Sequence, residues 1–485
     1  MAFRHALTTS EESRHEQDRG SPVSDARPAG AGVRRSIKRA AAVLSLAAVV
    51  SCAPVSPTPP PTRAAVTPAV SSLAGFGNRS AVRVTRSNAD MLDDFLDLTF
   101  RMESGRDLVA LSRFEGPLTL RLLGPMAGTV ATDLASLLDR LRREADLDIR
   151  LTDDPNASLT VQAIPQRALR RAVPKAACFV VPNVRDWDEY RAARETRHVH
   201  WGQVRIRRHA TIFLPEGAPP QELRDCLHEE LAQALGPLND LYRLPDSVFN
   251  DDNIHAVLTD FDMLMLRTIY APEMRSGMTR AEAAAVVPAV LDRLNPNGRG
   301  AAREPQADTA RDWIVAIETA LTDGASPGAR RDAAARAVEI SRTLGWTGPR
   351  EGFSLYAYGR LQVGHDARAA LAAFDAADRA YAADPVTRIH AAHIAVQKAA
   401  FALSAGDAIR TIEIADLAIP VARAHQNAAL LATLMMFKAE ALELQGGTVA
   451  AEALRLDSLP WARYGFGSDD DVRARLAEVQ SLRPY

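Results

Sequence analysis

The rhythm of apolar positions changes along the chain. From about residue 82 to residue 270, short strand-like runs alternate with helix-like ones; beyond residue 305 the pattern is helical almost throughout. The compact run 118–123 predicts a strand. Leu134, Leu137, Leu138 and Leu141 recur at i, i+3, i+4 and i+7, which predicts an amphipathic helix over 130–145. Strands are expected at 147–152 and 159–164. The polar, Arg-rich stretch 167–202 predicts an irregular excursion carrying one short strand at 178–181. A further strand is expected at 210–214, and Pro219-Pro220 then opens a helix over 221–235 that Gly236 ends. Strand, helix, strands, helix is the order of an α/β (α+β) domain with a mixed sheet.

A Pro-, Gly- and Asn-containing stretch at 295–305 marks a boundary. Helix-length segments follow at 307–322, 329–344, 353–363, 367–383, 386–403, 409–425 and 428–444, broken at Gly324, Gly345, Gly364, Pro385, Gly406 and Gly446. Small residues at expected helix crossings, and the pieces 369–374 and 377–385, resemble degenerate tetratricopeptide repeats. The irregular period keeps a generic helical bundle open. A solenoid would present a concave face to a protein or peptide partner.

At the N-terminus Arg34, Arg35, Lys38 and Arg39 precede the apolar run 40–50 and Ser51-Cys52. The run is too short to span a bilayer and has the flanks of a signal peptide, expected over 1–51. Val49-Val50-Ser51-Cys52 resembles the bacterial lipobox, which implies acylation of Cys52 and a lipid anchor in the membrane. Cleavage without lipidation and an uncleaved anchor are the competing readings. Residues 1–32 make a long polar n-region, so a start at Val33 is the alternative, and Arg34-Arg35 hints at a twin-arginine signal. A Pro-rich tether is expected over 52–80, then domains over 81–294 and 306–465. The location this implies is the cell envelope, facing the periplasm, with the choice of inner or outer membrane left open. In that oxidising compartment Cys178 and Cys226 suggest a disulfide; two buried thiols that never meet are the alternative.

Charge excludes one class of partner. The formal net charge is -2, and no basic stripe is interleaved with aromatics, so no nucleic-acid partner is expected. Among the 58 Lys and Arg residues, lysine occurs only at 38, 175, 398 and 438, which reads as coding bias and carries no functional weight.

The helix ending at Gly236 holds the candidate chemistry. Glu229, Glu230, Gln233, Leu235, Gly236, Asn239 and Asp240 have the spacing of HExxHxLGxxHD, with all three histidine slots substituted. This resembles a degenerate metzincin metallopeptidase. Asp246-Ser247-Val248-Phe249-Asn250 sits where such a domain has its Met-turn, and Leu258-Thr259-Asp260-Phe261-Asp262 resembles the helix that closes it. With these features the chain is identified as a member of the proteobacterial lipoproteins grouped as domain of unknown function 2927. The resemblance implies that Glu230 holds the general-base slot and that Glu229, Gln233 and Asn239 stand in the ligand slots. Gln233 and Asn239 offer neutral carbonyl oxygens, which suit Ca²⁺ or Mg²⁺ far better than catalytic zinc, so no cofactor or metal is assigned. His228 is expected on a surface or cap position; His255, His209, His198 and His200 have no ligand spacing. The plain alternative is that Glu230 and Gln233 face solvent and that Asp240 and Ser247 cap turns. The expected function is an envelope lipoprotein with a non-catalytic, pseudoenzyme-type binding domain and a helical interaction domain. The alternative is an atypical metallohydrolase acting on peptide or cell-wall material with Glu230 as base.

Overall fold

A computed structural model describes residues 82–126, 128–174, 176–304 and 306–484. The signal segment, Cys52 and all of the tether expected over 52–80 lie outside the described residues. The first elements are α1 (Asn88–Phe100), β1 (Leu118–Leu123), α2 (Gly128–Glu144), β2 (Ile149–Leu151), β3 (Leu159–Ile164), α3 (Gln166–Ala172), β4 (Phe179–Pro182), α4 (Trp187–Ala193) and β5 (Ala210–Pro215). The strands form a five-stranded mixed sheet in the order β2-β1-β3-β5-β4. β1, β2, β3 and β5 run parallel, and β4 pairs antiparallel with β5 at one edge.

β5 is apolar apart from Thr211, whose hydroxyl donates to the Val184 carbonyl, and it is buried throughout because both its faces are covered. Ala210, Ile212 and Leu214 join the core under the helices, whereas Phe213 faces a second, aromatic cluster. There the Phe213 ring lies 5.1 Å from Phe179, 5.2 Å from Trp187 and 5.5 Å from Tyr190. This cluster explains why 167–202 is not the irregular excursion expected from its polarity. Leu169 of α3 and Tyr190 of α4 each turn an apolar face onto the back of the sheet while their arginines stay outside.

After β5 come α5 (Pro220–Leu235), α6 (Asp260–Ile269) and α7 (Arg280–Leu294), with α7 packed on α1. The helical region holds α8 (Arg311–Leu321), α9 (Pro327–Thr343), α10 (Pro349–Gln362), α11 (Ala367–Ala382), α12 (Arg388–Ser404), α13 (Ala408–Ala424), α14 (Ala428–Leu444), α15 (Thr448–Phe466) and α16 (Asp469–Ser481). Helices therefore continue past residue 465, where the sequence pattern had placed the end of this region. Pro460 inside α15 weakened that signal. Each helix packs mainly on its neighbour in sequence, and α8 also meets α10 as α12 meets α14, the arrangement of stacked hairpins.

Small residues set one of these crossings. A Cβ at Gly352 would lie 2.8 Å from the Tyr381 ring, and one at Gly359 would lie 2.7 Å from the Phe374 ring. Both pairs are seven residues apart on α10 and α11, so the two rings seat over the two glycines in an antiparallel crossing. Gly359→Ala is expected to cost about 1–3 kcal/mol through overpacking, seen as a lower midpoint in thermal unfolding; an unchanged midpoint would contradict this close crossing.

The sheet region and the helices form one compact unit. Gln221 of α5 donates from Nε2 to Asn427 Oδ1 at 3.1 Å and accepts the Ala429 N–H at 2.9 Å. Arg224 donates to the Gln426 carbonyl, and Tyr464 donates to Asp133 at 2.7 Å. Tyr242 lies 5.0 Å from Trp313, edge to face, and Ile254 is part of the helical core.

Candidate functional site

The site is built around α5. Pro220 starts the helix where its missing N–H costs nothing. Two residues one turn apart then fix it to the edge strand. Cys226 is disulfide-bonded to Cys178, with S–S 2.05 Å, and Glu230 accepts the Val180 N–H. The alternative of two separate thiols is thereby excluded. At the other end Arg207 fills the role of a C-terminal cap: its buried guanidinium donates to the carbonyls of Gln233, Ala234 and Gly236, each at 2.6 Å. The same group lies 4.7 Å from the Trp201 ring. A positive charge here adds a donor to the Gln233 carbonyl, which also accepts the Gly236 N–H, serves the otherwise open Ala234 and Gly236 carbonyls, and complements the negative end of the helix dipole.

Gly236 does terminate α5, but not through a left-handed backbone. Its φ of -170° is open to any residue. A Cβ there would fall 2.2 Å from the Ile269 Cδ1 methyl, so a larger residue would have to push the buried Ile269 side chain of α6 aside.

The residues in the expected ligand slots have different surroundings. Asn239 is buried and donates from Nδ2 to the Asp97 carbonyl at 3.0 Å, tying the returning chain to α1. Glu229 and Gln233 are half-buried on the helix, and Glu230 is only 3 % exposed. The reading of Glu230 as a plain solvent-facing residue is overturned by that burial. Among the described residues no group of three or more His, Cys, Asp or Glu is placed to hold a metal ion. With Asn239 committed to α1 and Glu230 to β4, the residues present do not fit a catalytic zinc.

What surrounds Glu230 is negative charge. Burial first, then the Glu229 and Glu103 carboxylates, raise its pKa well above the ordinary carboxylate value, against the Val180 N–H. Burial and the neighbouring Asp251, Glu229, Glu103 and Glu230 do the same to Asp240, whose Oδ1 is buried with no hydrogen-bond partner. Tyr242 donates to Asp251 at 2.6 Å, and burial raises both their pKa values. Burial among like charges favours the protonated forms of Glu230 and Asp240, and such a group pairs favourably with any cationic or hydrogen-bond donor brought to it.

The turn beneath the site is ordered by Asp262. Its carboxylate accepts Ser247 Oγ at 2.5 Å, the Val248 N–H at 3.2 Å, the Thr259 N–H at 2.7 Å and Thr259 Oγ1 at 3.0 Å. Burial nonetheless pushes its pKa up to about 6. Phe249, in the methionine position of the resemblance, is fully buried. Ser247 accepts the Phe249 N–H at 3.0 Å, so it does cap a turn as well as bridge to α6.

The histidines divide differently from their sequence reading. His228 is no surface residue: it is buried, and its Nδ1 accepts the Leu258 N–H at 3.1 Å, which joins α5 to the segment before α6. His209 Nδ1 donates to the Ala157 carbonyl and His198 Nε2 to that of Asn183. His255 faces His390 and His425 in a separate cluster, and His200 lies in the short turns after α4. Sequence reasoning missed Arg207, Glu103 and Tyr242. It also missed a buried ion network in which Arg243 pairs with Asp94 and, at 2.7 Å, with Asp97, and Arg86 pairs with Asp94 and Asp246. These pairs span up to 160 residues, and no local pattern announces them. Asp94 and Asp97 at i, i+3 on α1 were the one visible trace.

Comparison with known proteins adds a single finding. No curated protein and no solved structure matches the chain. Residues 88–289, from α1 to near the end of α7, match the family described as protein of unknown function (DUF2927), so this part of the chain carries that domain.

Proposed function

We propose that the matched domain is a non-catalytic recognition domain of metzincin descent, carried by an envelope lipoprotein that is anchored through Cys52. The observation that carries this reading is the state of Glu230. In the general-base slot it is buried, bonded to Val180 and crowded by carboxylates, which favours its protonated form over the carboxylate that a general base must present. The mixed sheet, the helix tied to its antiparallel edge strand and the buried turn below support the inherited scaffold. The lost histidines argue that the inherited hydrolysis is gone. Asp240, with its unpaired buried oxygen, gives the site affinity for a donor or cationic group on a partner. The stacked helical hairpins, tetratricopeptide-like in layout, supply a further interaction surface beyond the part already docked on α5.

Two measurements follow. A Glu230→Gln copy is expected to rescue a deletion strain fully, because glutamine keeps the size and the ability to accept the Val180 N–H; loss of rescue at normal protein level would favour a hydrolase with Glu230 as base. The same variant bears on pH. Since the folded pKa of Glu230 is raised, the native state holds a proton that the unfolded state releases, and stability falls as pH rises from the unfolded value near 4.5 through the folded one. Glu230→Gln is therefore expected to be more stable than wild type at pH 8, with the difference shrinking toward pH 4.5 in urea titrations. Anchoring is checked separately: Cys52→Ala should shift the protein from the membrane to the soluble fraction.

A further inference from the structure

A second cluster lies where the segment 251–258 meets the helical region, and the proposed recognition site makes no use of it. His255 comes from that segment, His390 and His393 lie one turn apart on α12, and His425 follows the end of α13. The His255 ring is 5.8 Å from His390 and 6.0 Å from His425. His390 Nε2 donates to Asp252 Oδ2 at 3.0 Å, both groups being buried, while its Nδ1 is buried with no partner. His255 Nε2 donates to the Pro245 carbonyl at 2.7 Å, and His393 Nε2 is buried without a partner. Ile254, between Asp252 and His255 in sequence, is inserted among the core side chains of the helices.

The groups facing the rings give little compensation for added charge. Asp252 faces His255, His390 and His393, and it is already bonded to His390. Asp246 also faces His255 but is paired with Arg86. The remaining neighbours are the cations Arg360 beside His393 and Arg388 beside His425, with the Tyr381 ring 5.0 Å from His390. One proton on the cluster can be shared with Asp252; further protons meet like charge in a dry contact.

We propose that the imidazoles of His255, His393 and His425 are a pH-sensitive latch: neutral, they hold the segment 251–258 against α12 and α13, and on acidification their protonation releases it. The sign follows from burial. Burial lowers the pKa of His255, and takes His393 and His425 to about 3, from the ordinary 6.5. The closed form therefore binds fewer protons than the open one between pH 3 and 6.5. Closure is strongest above pH 6.5 and weakens as pH falls through that window, by up to about tenfold per pH unit for each ring.

Hydrogen exchange on the full chain tests this. After correction for the intrinsic rate, amides of 251–258 and the first turns of α12 are expected to lose protection by at least about 30-fold from pH 7.5 to pH 5, the effect of one such ring. Amides of β3 and β5 should change much less. His425→Gln, at a half-buried position, should reduce the pH response, and the triple variant His255→Gln, His393→Gln, His425→Gln should abolish it. Should the triple variant fail to fold, imidazole resonances of the wild type give the answer: rings that titrate near 6.5 with no change in the 251–258 amides overturn the proposal. So does equal loss of protection across the sheet, or loosening of the segment by EDTA at pH 7.5, which would show a bound metal holding it.

Discussion

Arg207→Ala is expected to lower folding stability by about 3–5 kcal/mol, because it removes one buried guanidinium and leaves the Ala234 and Gly236 carbonyls without their donor and the Gln233 carbonyl with only the Gly236 N–H. Arg207→Lys should recover less than half of this, since a single ammonium cannot reach three carbonyls in the geometry that the planar fork serves. The measurement is the urea midpoint at constant m. A shift worth less than about 1 kcal/mol for the alanine variant would mean that water satisfies the end of α5, and that Arg207 is not what fixes the helix at its C-terminal end. The effect should extend to the site, because Gln233 and Gly236 belong to the turn that carries the chain on to Asn239 and Asp240.

Breaking the disulfide is expected to have a comparable effect. Cys178 and Cys226 are 48 residues apart, and closing a loop of that length restricts the unfolded chain by about 4 kcal/mol at 25 °C. Reduction, or the double change Cys178→Ser and Cys226→Ser, should lower stability by about 3–4 kcal/mol. The bridge ties α5 to the residue just before β4, beside the Glu230–Val180 hydrogen bond, so its loss should loosen the edge strand locally. Exchange of the Val180 amide, bonded to Glu230, is the local readout; unchanged protection there on reduction would show that the hydrogen bond holds the strand by itself.

Much of this fold was legible in the chain because its elements carry strong local patterns. α14 has the bounds its apolar run implied, and β1 and β3 match their runs. Pattern failed where neighbours decide. α3 and α4 are short, charged helices whose single buried faces, at Leu169 and Tyr190, carry no periodicity that survives among seven residues. α1 was hidden because Asp90, Asp94 and Asp97 are buried against Arg303, Arg86, Arg243 and Arg280, so polar residues occupy positions that a pattern assigns to solvent. The site shows the same division. The family resemblance grouped Glu230, Gly236, Ser247 and Asp262, and the turn bonds between Ser247 and Asp262 are present in the structure. It gave no sign that Glu230 is pinned to a strand, that Asn239 turns to α1, or that Glu103 closes in from another loop, because each depends on contacts between distant segments.

On the proposed recognition role the domain binds no catalytic metal, and metal analysis of the purified protein, compared with Glu229→Ala and Gln233→Ala variants, decides between that role and a hydrolase. Zinc far below one equivalent in all three is the predicted result. One zinc per chain in the wild type, lost on either substitution, would contradict it and restore the hydrolase.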